Sequence, residues 1–397
     1  MRIPFPRHPI EAATHPDPYP YYADLVAHKP LYWDETIGFW IASSAAIVTA
    51  VLKNPLCHVR PPAEPVPAAL LNSASADIFR HLVRMNDGQQ HHCLKGAVSS
   101  MLQAMNGDTI LAQSKIWARL LAEEMKRESH PGRLAEFAFR LPVYVLASLL
   151  GIPEAHLRQT EVWMSDFVRC LAPGSLPAQI EQGKQAASHL LDLFHTVMCL
   201  QEAEDTSSGL RLLMHDMKQA GYPDRAMAVA NGMGLLSQAY EATAGLIGNT
   251  LLTLARHREV YEQLLVDPDL LPPVIQEVLR HDPPIQNTRR YMVSNGTIAG
   301  AEMKEGDGVL VVLAAANWDS AVNHHPERFD LERPAPRLFT FGVGEHVCPG
   351  EMIATIIARA GVEQLIHSGV KVPDLAESVS YRSSANTRIP LFEGGKV

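Results

Sequence analysis

The sequence predicts a mainly α-helical protein with small β-sheets, and three stretches of the chain carry this prediction. Helical spacing of apolar residues dominates from residue 110 to residue 204. Residues 224–267 contain no proline, so one long helix could occupy much of that stretch. Residues 295–313 alternate short apolar runs with glycine, which indicates strand, turn and strand, with turns at Gly296, Gly300 and Gly306.

Local signals predict the other elements in chain order. Residues 17–25 indicate a turn that leads into a helix, and residues 31–33 and 38–42 indicate the two strands of a hairpin. Residues 45–52 are expected to be helical. Within the helical region that ends at residue 204, three prolines are expected to interrupt the helices: Pro142, Pro153 and Pro173.

The last predicted helix covers residues 351–367 and should bury one face. Its apolar residues recur at helical spacing, namely Ile353, Ile357, Val362, Leu365 and Ile366. Gly369 follows directly and is expected to end this helix, because glycine readily adopts the left-handed conformation that closes helices.

Length and charge limit the class of protein. A chain of 397 residues exceeds the usual single-core size of about 250–300 residues, so it could hold two domains or one large domain. No linker, repeat or low-complexity block marks a boundary. The formal charge is −9 and there is no dense run of Lys or Arg, which argues against a nucleic-acid-binding protein.

Three further features predict a soluble protein of the cytoplasm. Residues 1–22 lack the basic segment and apolar stretch of a signal peptide. The longest apolar run, residues 309–316, is far shorter than the roughly 20 residues that span a bilayer. The five cysteines are scattered without a CxxC pair, which suits a reducing compartment better than a disulfide framework or a zinc site: Cys57, Cys93, Cys170, Cys199 and Cys348.

The stretch from Phe341 to Gly350 holds the candidate metal-binding cysteine. It reads Phe-Gly-Val-Gly-Glu-His-Val-Cys-Pro-Gly and lies directly before the helix predicted from Glu351. Glycines permit unusual backbone conformations, so the sulfur of Cys348 could be surrounded by backbone N–H groups. Those donors and the helix N-terminus would stabilise a thiolate. A single thiolate suits haem iron better than zinc, whereas a buried cysteine without function is the simpler alternative.

This stretch resembles the haem-binding signature of the cytochromes P450, Phe-Gly-x-Gly-x-His-x-Cys-x-Gly. Six defining positions match: Phe341, Gly342, Gly344, His346, Cys348 and Gly350. Pro349 departs from the apolar residue that is more usual there. The resemblance implies a cytochrome P450 fold with a long central helix over the haem. It implies one domain over residues 1–397, haem b as cofactor and Cys348 as the iron ligand.

A second resemblance concerns an ion cluster that supports the fold. Glu277-Val278-Leu279-Arg280 is similar to the family's Glu-x-x-Arg element, although such pairs also occur on exposed helices. The segment Pro326-Glu327-Arg328-Phe329 resembles the one whose arginine completes the cluster. The resemblance therefore implies a structural network of Glu277, Arg280 and Arg328.

Haem also carries two propionates that need cationic partners. Residues 87–95 resemble a family segment in which His91 and Lys95 match the propionate-binding His and Arg. Lysine does not reproduce the fork of arginine, so its match is the weaker one chemically. Arg290 stands where the family commonly has another propionate-binding arginine, with Arg289 as its competitor, and His346 is a further match.

The central helix departs from the family pattern Ala/Gly-Gly-x-Asp/Glu-Thr-Thr. Alignment on the acid Glu241 places Gln238 and Ala239 at the small-residue pair. It also places Ala242 at the position of the usual oxygen-activating threonine, and Thr243 one position later. Some P450s, including macrolide hydroxylases, likewise carry alanine at the position of that threonine. Glu241 and Thr243 are the candidate proton-delivering residues, and an ordinary helical pair is the alternative.

The resemblance implies a bacterial monooxygenase that inserts one atom of O₂ into a small organic substrate, such as one of secondary metabolism. Electrons should come from an external ferredoxin and its NAD(P)H-dependent reductase, because the chain has no flavin or iron–sulfur motif. Alternatives are peroxide-driven oxidation, oxidative coupling or desaturation, and a non-enzymatic haem-binding protein. The substrate pocket is expected near residues 235–243, 285–288 and 383–387, with polar character from Gln238, Tyr240, Gln286 and Asn287.

Overall fold

A computed structural model describes residues 4–127, 132–204, 208–222 and 224–392 of the chain. The fold class is confirmed, because helices dominate and the sheets are small. The α-helices of the described residues are α1 Pro9–Ala12, α2 Tyr19–His28, α3 Ala45–Leu52, α4 Ala74–His81, α5 Gly88–Ala104, α6 Gly107–Arg127, α7 Arg133–Leu149, α8 Glu154–Leu171, α9 Pro177–Glu204, α10 Gly209–Gln219, α11 Arg225–Arg256, α12 Arg258–Val266, α13 Leu271–His281, α14 Leu313–Asn317 and α15 Glu351–His367. The strands are β1 Leu31–Asp34, β2 Phe39–Ala42, β3 Cys57–His58, β4 Thr288–Met292, β5 Gly296–Ile298, β6 Ala301–Met303, β7 Gly308–Val311, β8 Val379–Tyr381 and β9 Pro390–Phe392.

The main sheet has five strands in the order β1-β2-β7-β4-β3. The predicted hairpin of β1 and β2 is confirmed, with Leu31 paired to Ala42 in antiparallel register. The segment after residue 295 contains three strands rather than the expected two, because β5 and β6 form a ribbon of their own and β7 joins the main sheet. Gly300 and Gly306 lie at turns with φ of 85° and 87°, whereas Gly296 begins β5.

The predicted long helix is α11, which runs from Arg225 to Arg256 through the centre of the molecule. From Ala228 onwards most of its residues are buried on every side, as expected for a helix that is apolar all round. The helix ends at His257, which has non-helical backbone angles, and α12 begins at the next residue.

The expectation for Pro142 is wrong, since this proline lies inside α7 without interrupting it. Proline removes one backbone hydrogen bond of a helix, but α7 packs against α6, α8 and α11 and buries Leu141, Pro142 and Val143 together. Packing therefore outweighs the local preference. Pro153 precedes α8 and Pro173 follows it, so these two interruptions are confirmed.

Helix α15 carries the cysteine loop at its N-terminus and packs against α6, α7 and α11. Gly361 allows the close approach to α7, because a Cβ there would lie 2.8 Å from Leu141 Cδ2. Gly369 has φ of 87° just after the helix, which confirms the predicted end.

In the part of the chain that the structure describes, no helix has the length and apolar character needed to cross a membrane. All five cysteines are free thiols.

Candidate functional site

The cysteine loop is a tight turn that precedes α15. Gly342 and Gly344 have φ of 74° and 79°, which side chains other than glycine rarely adopt. A Cβ on Gly344 would lie 3.0 Å from the carbonyl oxygen of Leu52, so the loop packs closely on the end of α3. The backbone N–H of Cys348 donates to the Phe341 carbonyl at 2.8 Å and closes the turn.

Cys348 is accessible. The N–H of Gly350 donates to Cys348 Sγ at 3.4 Å. The sequence predicted several such donors, and within the described residues Gly350 supplies the single one. Burial raises the pKa of the Cys348 thiol, while the Gly350 N–H and Lys95 oppose the rise. The loop alone therefore does not hold a preformed thiolate, and a metal ion would have to favour deprotonation.

Three of the predicted cofactor-binding residues meet beside this loop. The rings of His91 and His346 stack with their centres 3.9 Å apart. Lys95 Nζ contacts the carbonyl oxygen of Glu345, which places the ammonium group at the cysteine loop. His346 Nε2 lies 3.1 Å from Asp87 Oδ1, a partner that the sequence had not suggested.

The structure separates Arg290 from its competitor Arg289. Arg290 is 6% exposed and its Nη1 donates to the Arg289 carbonyl at 2.7 Å. Within the described residues, no carboxylate lies within ion-pair distance of Arg290. Arg289 instead stacks over the ring of Phe39 at 5.6 Å. Burial lowers the pKa of Arg290 and the charge of Asp87 opposes this effect from beyond ion-pair distance. Among the described residues Arg290 is thus a buried cation without a direct ion-pair partner, which suits an anionic group of a cofactor.

The structural ion cluster is present, but its third member differs from the prediction. Arg280 Nη2 lies 2.6 Å from Glu277 Oε1, and both side chains are buried. Arg333 supplies the second cation, with Nε 3.2 Å from the same oxygen. The prediction of Arg328 is wrong, because its side chain is 70% exposed and only its carbonyl accepts from Arg280.

On α11, the residues around Glu241 divide between an open face and a packed face. Leu235, Gln238, Ala239 and Ala242 are at least partly accessible and recur at helical spacing. Thr243 points into the packed side, where its hydroxyl is buried and has no hydrogen-bond partner among the described residues. In the helical turn that contains Glu241, the open face therefore presents the methyl group of Ala242 rather than a hydroxyl.

Glu241 is paired with a residue that the sequence did not single out. Its Oε1 lies 3.2 Å from Arg382 Nη1, and each side chain is about one quarter exposed. Burial raises the pKa of the Glu241 carboxyl, while Arg382 and the Thr387 hydroxyl oppose the rise. Arg382 is also held by the ring of Phe139, 4.7 Å from its guanidinium.

The expected polar lining of the pocket is wrong for three of four residues. Gln286 is fully buried and bonds the hydroxyl of Tyr22 at 2.8 Å, and Asn287 bonds the Ala385 carbonyl at 2.9 Å. Tyr240 is 4% exposed and packs on Phe139. These side chains satisfy internal hydrogen bonds or packing, which leaves Gln238 as the accessible member of the set.

Comparison with known proteins extends this picture. The family model described as "Cytochrome P450" matches residues 176–368. The chain is 24% identical to the "Biotin biosynthesis cytochrome P450" of Bacillus subtilis, over 88% of each chain. It is 28% identical to the "20-oxo-5-O-mycaminosyltylactone 23-monooxygenase" of Streptomyces fradiae, over 84% of this chain and 78% of that protein.

Among solved structures, the fold is similar to that of P450BioI, crystallised with an acyl carrier protein ligated to hexadec-9Z-enoic acid. The TM-score is 0.82 at 22% identity, covering 95% of this chain and 99% of that one. At this level of identity, the likeness shows the fold alone.

Proposed function

We propose that this chain, as a member of the cytochrome P450 family, is a haem-thiolate monooxygenase. Its proposed substrate is a small organic molecule. The observation that carries the proposal is Cys348, an accessible cysteine held in a glycine-shaped turn before α15. We further propose that residues 1–397 form one catalytic domain, of which residues 1–3, 128–131, 205–207, 223 and 393–397 lie outside the described ranges.

Haem b is the proposed form of the cofactor, and Cys348 is the residue that would bind its iron. The chain has no CxxCH sequence that could attach haem covalently. Gly350 fits this role because its N–H donates to Cys348 Sγ at 3.4 Å, a contact that would help to stabilise the sulfur as a thiolate. Phe341, Gly342 and His346 would shape the same side of the loop.

The propionates are assigned to cationic and hydrogen-bonding side chains near the loop. Arg290 is the strongest candidate, because a propionate would neutralise its buried and unpaired charge. Lys95, His91 and His346 are the other partners. Burial and the neighbouring His346 lower the pKa of His91 to about 4, so His91 would act as a neutral hydrogen-bond donor.

When bound, haem supplies the binding and activation of O₂, and one oxygen atom enters the substrate while the other leaves as water. This overall change consumes two electrons and two protons. The protein positions the substrate, excludes water and delivers protons. Glu241 is the proposed proton donor on α11, since Ala242 offers no hydroxyl on the open face. Thr243 is assigned a lesser role because its hydroxyl lies on the packed side.

External donors are proposed for the two electrons. A ferredoxin and its NAD(P)H-dependent reductase fit a chain without flavin or iron–sulfur motifs. A cytoplasmic location agrees with five cysteines that are all free thiols. The named activity of the Streptomyces fradiae relative supports a substrate from secondary metabolism.

One observation favours a second candidate reaction. Gln238 and Ala242 occupy the open face where the family usually has a small residue and a threonine. This change in the proton-delivering groups suits oxidative coupling, desaturation or peroxide-driven oxidation. A haem protein without turnover is the remaining possibility.

A single experiment separates these functions. The haem-loaded protein is supplied with surrogate ferredoxin, reductase, NADPH and ¹⁸O₂, and ligands are chosen by their Soret shift. The proposal predicts products that carry one ¹⁸O atom and form in proportion to NADPH consumed. Products without ¹⁸O would favour coupling or desaturation, turnover with H₂O₂ alone would favour a peroxygenase, and no turnover would favour a binding protein.

A further inference from the structure

Arg84 lies in a short turn that is fixed at both ends. On one side, the N–H of Val83 donates to Asn231 Oδ1 on α11 at 2.7 Å, and Asn231 Nδ2 donates to the His81 carbonyl at 2.9 Å. On the other side, Asp87 pairs with His346 of the cysteine loop at 3.1 Å. The turn Val83–Met85 therefore bridges the central helix and the cysteine loop, and Arg84 is placed between these two parts of the site.

Arg84 has no protein partner in the described part of the chain, because none of the hydrogen bonds, ion pairs or ring contacts there involves its side chain. It is nevertheless accessible, while its neighbour Leu82 is fully buried. Burial among protein atoms also lowers the pKa of Arg84. Because its turn is bonded to α11 on one side and leads to Asp87 at the cysteine loop on the other, the space that Arg84 faces is assigned to the gap between these two parts of the site.

Cys348 has the same combination of properties. It is accessible, and surrounding protein atoms raise the pKa of its thiol. The turn that carries Arg84 is tied to the cysteine loop through Asp87 and His346. Both side chains are therefore assigned to the interior of one site, Cys348 from the loop and Arg84 from the turn beside α11.

The two carboxylates of the site described above are engaged with other groups. Glu241 faces Arg382 at 3.2 Å, and Asp87 faces His346 and accepts the N–H of Val59 at 3.1 Å. A guanidinium group inside a protein is unfavourable unless an anion pairs with it. Its flat fork of N–H donors matches the two oxygens of a carboxylate.

We propose that Arg84 binds the carboxylate of the substrate, so that this enzyme acts on organic acids. The assignment deepens the proposed function and rests on it. Haem propionates are a second source of carboxylates, but four other groups converge on them in the proposed arrangement: His91, Lys95, Arg290 and His346. Arg84 is not needed to bind the propionates in that arrangement, so its guanidinium group is assigned to the substrate.

The test uses the haem-loaded protein and matched probes that differ only in charge. Octanoic, dodecanoic and 4-phenylbutanoic acids are titrated against the Soret band beside their methyl esters. Wild type should bind at least one acid more tightly than its ester. Arg84→Gln should weaken binding of that acid by about tenfold or more and leave the ester unchanged, as loss of a charge-assisted hydrogen bond predicts. Arg84→Lys should keep part of the preference.

Arg80→Gln is the matched control, because Arg80 is exposed four residues earlier and pairs with Asp77 at 2.8 Å. It should bind every probe as wild type does. Equal binding of acids and esters by wild type, or an acid preference that persists in Arg84→Gln, contradicts the inference. Faster haem loss from Arg84→Gln to apomyoglobin, with the acid preference retained, would assign Arg84 to a propionate instead.

A misfolded Arg84→Gln also counts against the inference, because an accessible side chain without protein partners should be dispensable for folding. Failure of the proposed function has a different signature. In that case the reduced, CO-bound wild-type protein would lack the spectrum of thiolate ligation, whatever its preference among the probes.

Discussion

Arg333 Nε lies 3.2 Å from Glu277 Oε1, and the two side chains are 7% and 3% exposed. Arg280 approaches the same carboxylate, so one glutamate pairs with two buried guanidinium groups. Arg280 also donates to the carbonyls of Pro326 and Arg328 at 2.8 Å each. The cluster therefore ties α13 to the segment that leads towards the cysteine loop.

Replacing Glu277 by alanine should destabilise the protein strongly. Two buried cations would lose their shared counterion, and breaking one buried pair already costs about 3–5 kcal/mol. Urea denaturation of Glu277→Ala should show at least this loss or no folded, haem-loaded protein. Glu262→Ala is the control, since Glu262 pairs with Arg258 on the surface. Equal stability of the two variants would show that Glu277 is not structural.

Arg333 and Arg328 should differ sharply when each is changed to alanine. Arg333→Ala removes a buried partner of Glu277 and should cost several times as much stability as Arg328→Ala. Arg328 is 70% exposed, and its nearest acidic atom, Glu327 Oε1, lies 3.9 Å away, so its loss should cost less than about 1 kcal/mol. The comparison is made by thermal and urea unfolding. The reverse order would restore the sequence-based assignment.

Glu241→Ala should lower the yield of product per NAD(P)H consumed and divert reducing equivalents to peroxide. The physical reason is that Ala242 leaves no hydroxyl on the open face of α11, so the carboxyl group beside it becomes the proton source. An ordered water and the substrate could complete the relay. Thr243→Ala should have a smaller effect, because the hydroxyl is about 100° around the helix and buried.

The ratio of product to NAD(P)H is measured for both variants with the same substrate. Full coupling in Glu241→Ala, or a larger defect in Thr243→Ala, would argue against Glu241 as the proton donor. The ratio of product to NAD(P)H in Arg382→Lys should stay closer to the wild-type value than the ratio in Arg382→Gln. The lysine keeps the cation that opposes the raised pKa of Glu241.

The stability of the protein should fall as the pH is lowered from about 6.5 to about 4. Burial and the adjacent Arg280 lower the pKa of His281 from 6.5 to about 4, so the folded state keeps this histidine neutral. In that interval the unfolded chain binds a proton that the folded protein does not, which favours unfolding. Above pH 6.5 the contribution of His281 to stability is complete.

His281→Gln should reduce the slope of unfolding free energy against pH in this interval, where His91, whose pKa is also lowered to about 4, accounts for a remaining part. His156→Gln, at an exposed position on α8, is the control and should follow wild type. A profile for His281→Gln that runs parallel to wild type between pH 6.5 and 4 would contradict the assignment.

Elements with strong local signals could be predicted from the sequence. The hairpin of β1 and β2, helix α3 and the long helix α11 follow from alternation, spacing and the absence of proline. The loop from Phe341 to Gly350 is specified locally as well, because its glycines occupy conformations that other residues avoid. The apolar spacing that follows the loop likewise predicts the start of α15 at Glu351.

Long-range partners could not be predicted in the same way. The choice of Arg333 over Arg328 depends on how the chain turns after α14, and no local pattern of charge distinguishes them. Arg382 reaches Glu241 from a segment far along the chain, and Gln286 turns inward to bond Tyr22. Such contacts are decided by tertiary packing, which also keeps Pro142 inside a continuous helix.

The absorption spectrum of the reduced, CO-bound protein tests the central claim most directly, namely that Cys348 is the thiolate ligand of haem iron. Wild type and Cys199→Ala, in which an exposed cysteine is removed, should both show the strongly red-shifted Soret band of thiolate ligation. Cys348→Ala should lose this band while it keeps its folded circular dichroism spectrum. A red-shifted band in Cys348→Ala, or its absence from haem-loaded wild type, would contradict the account.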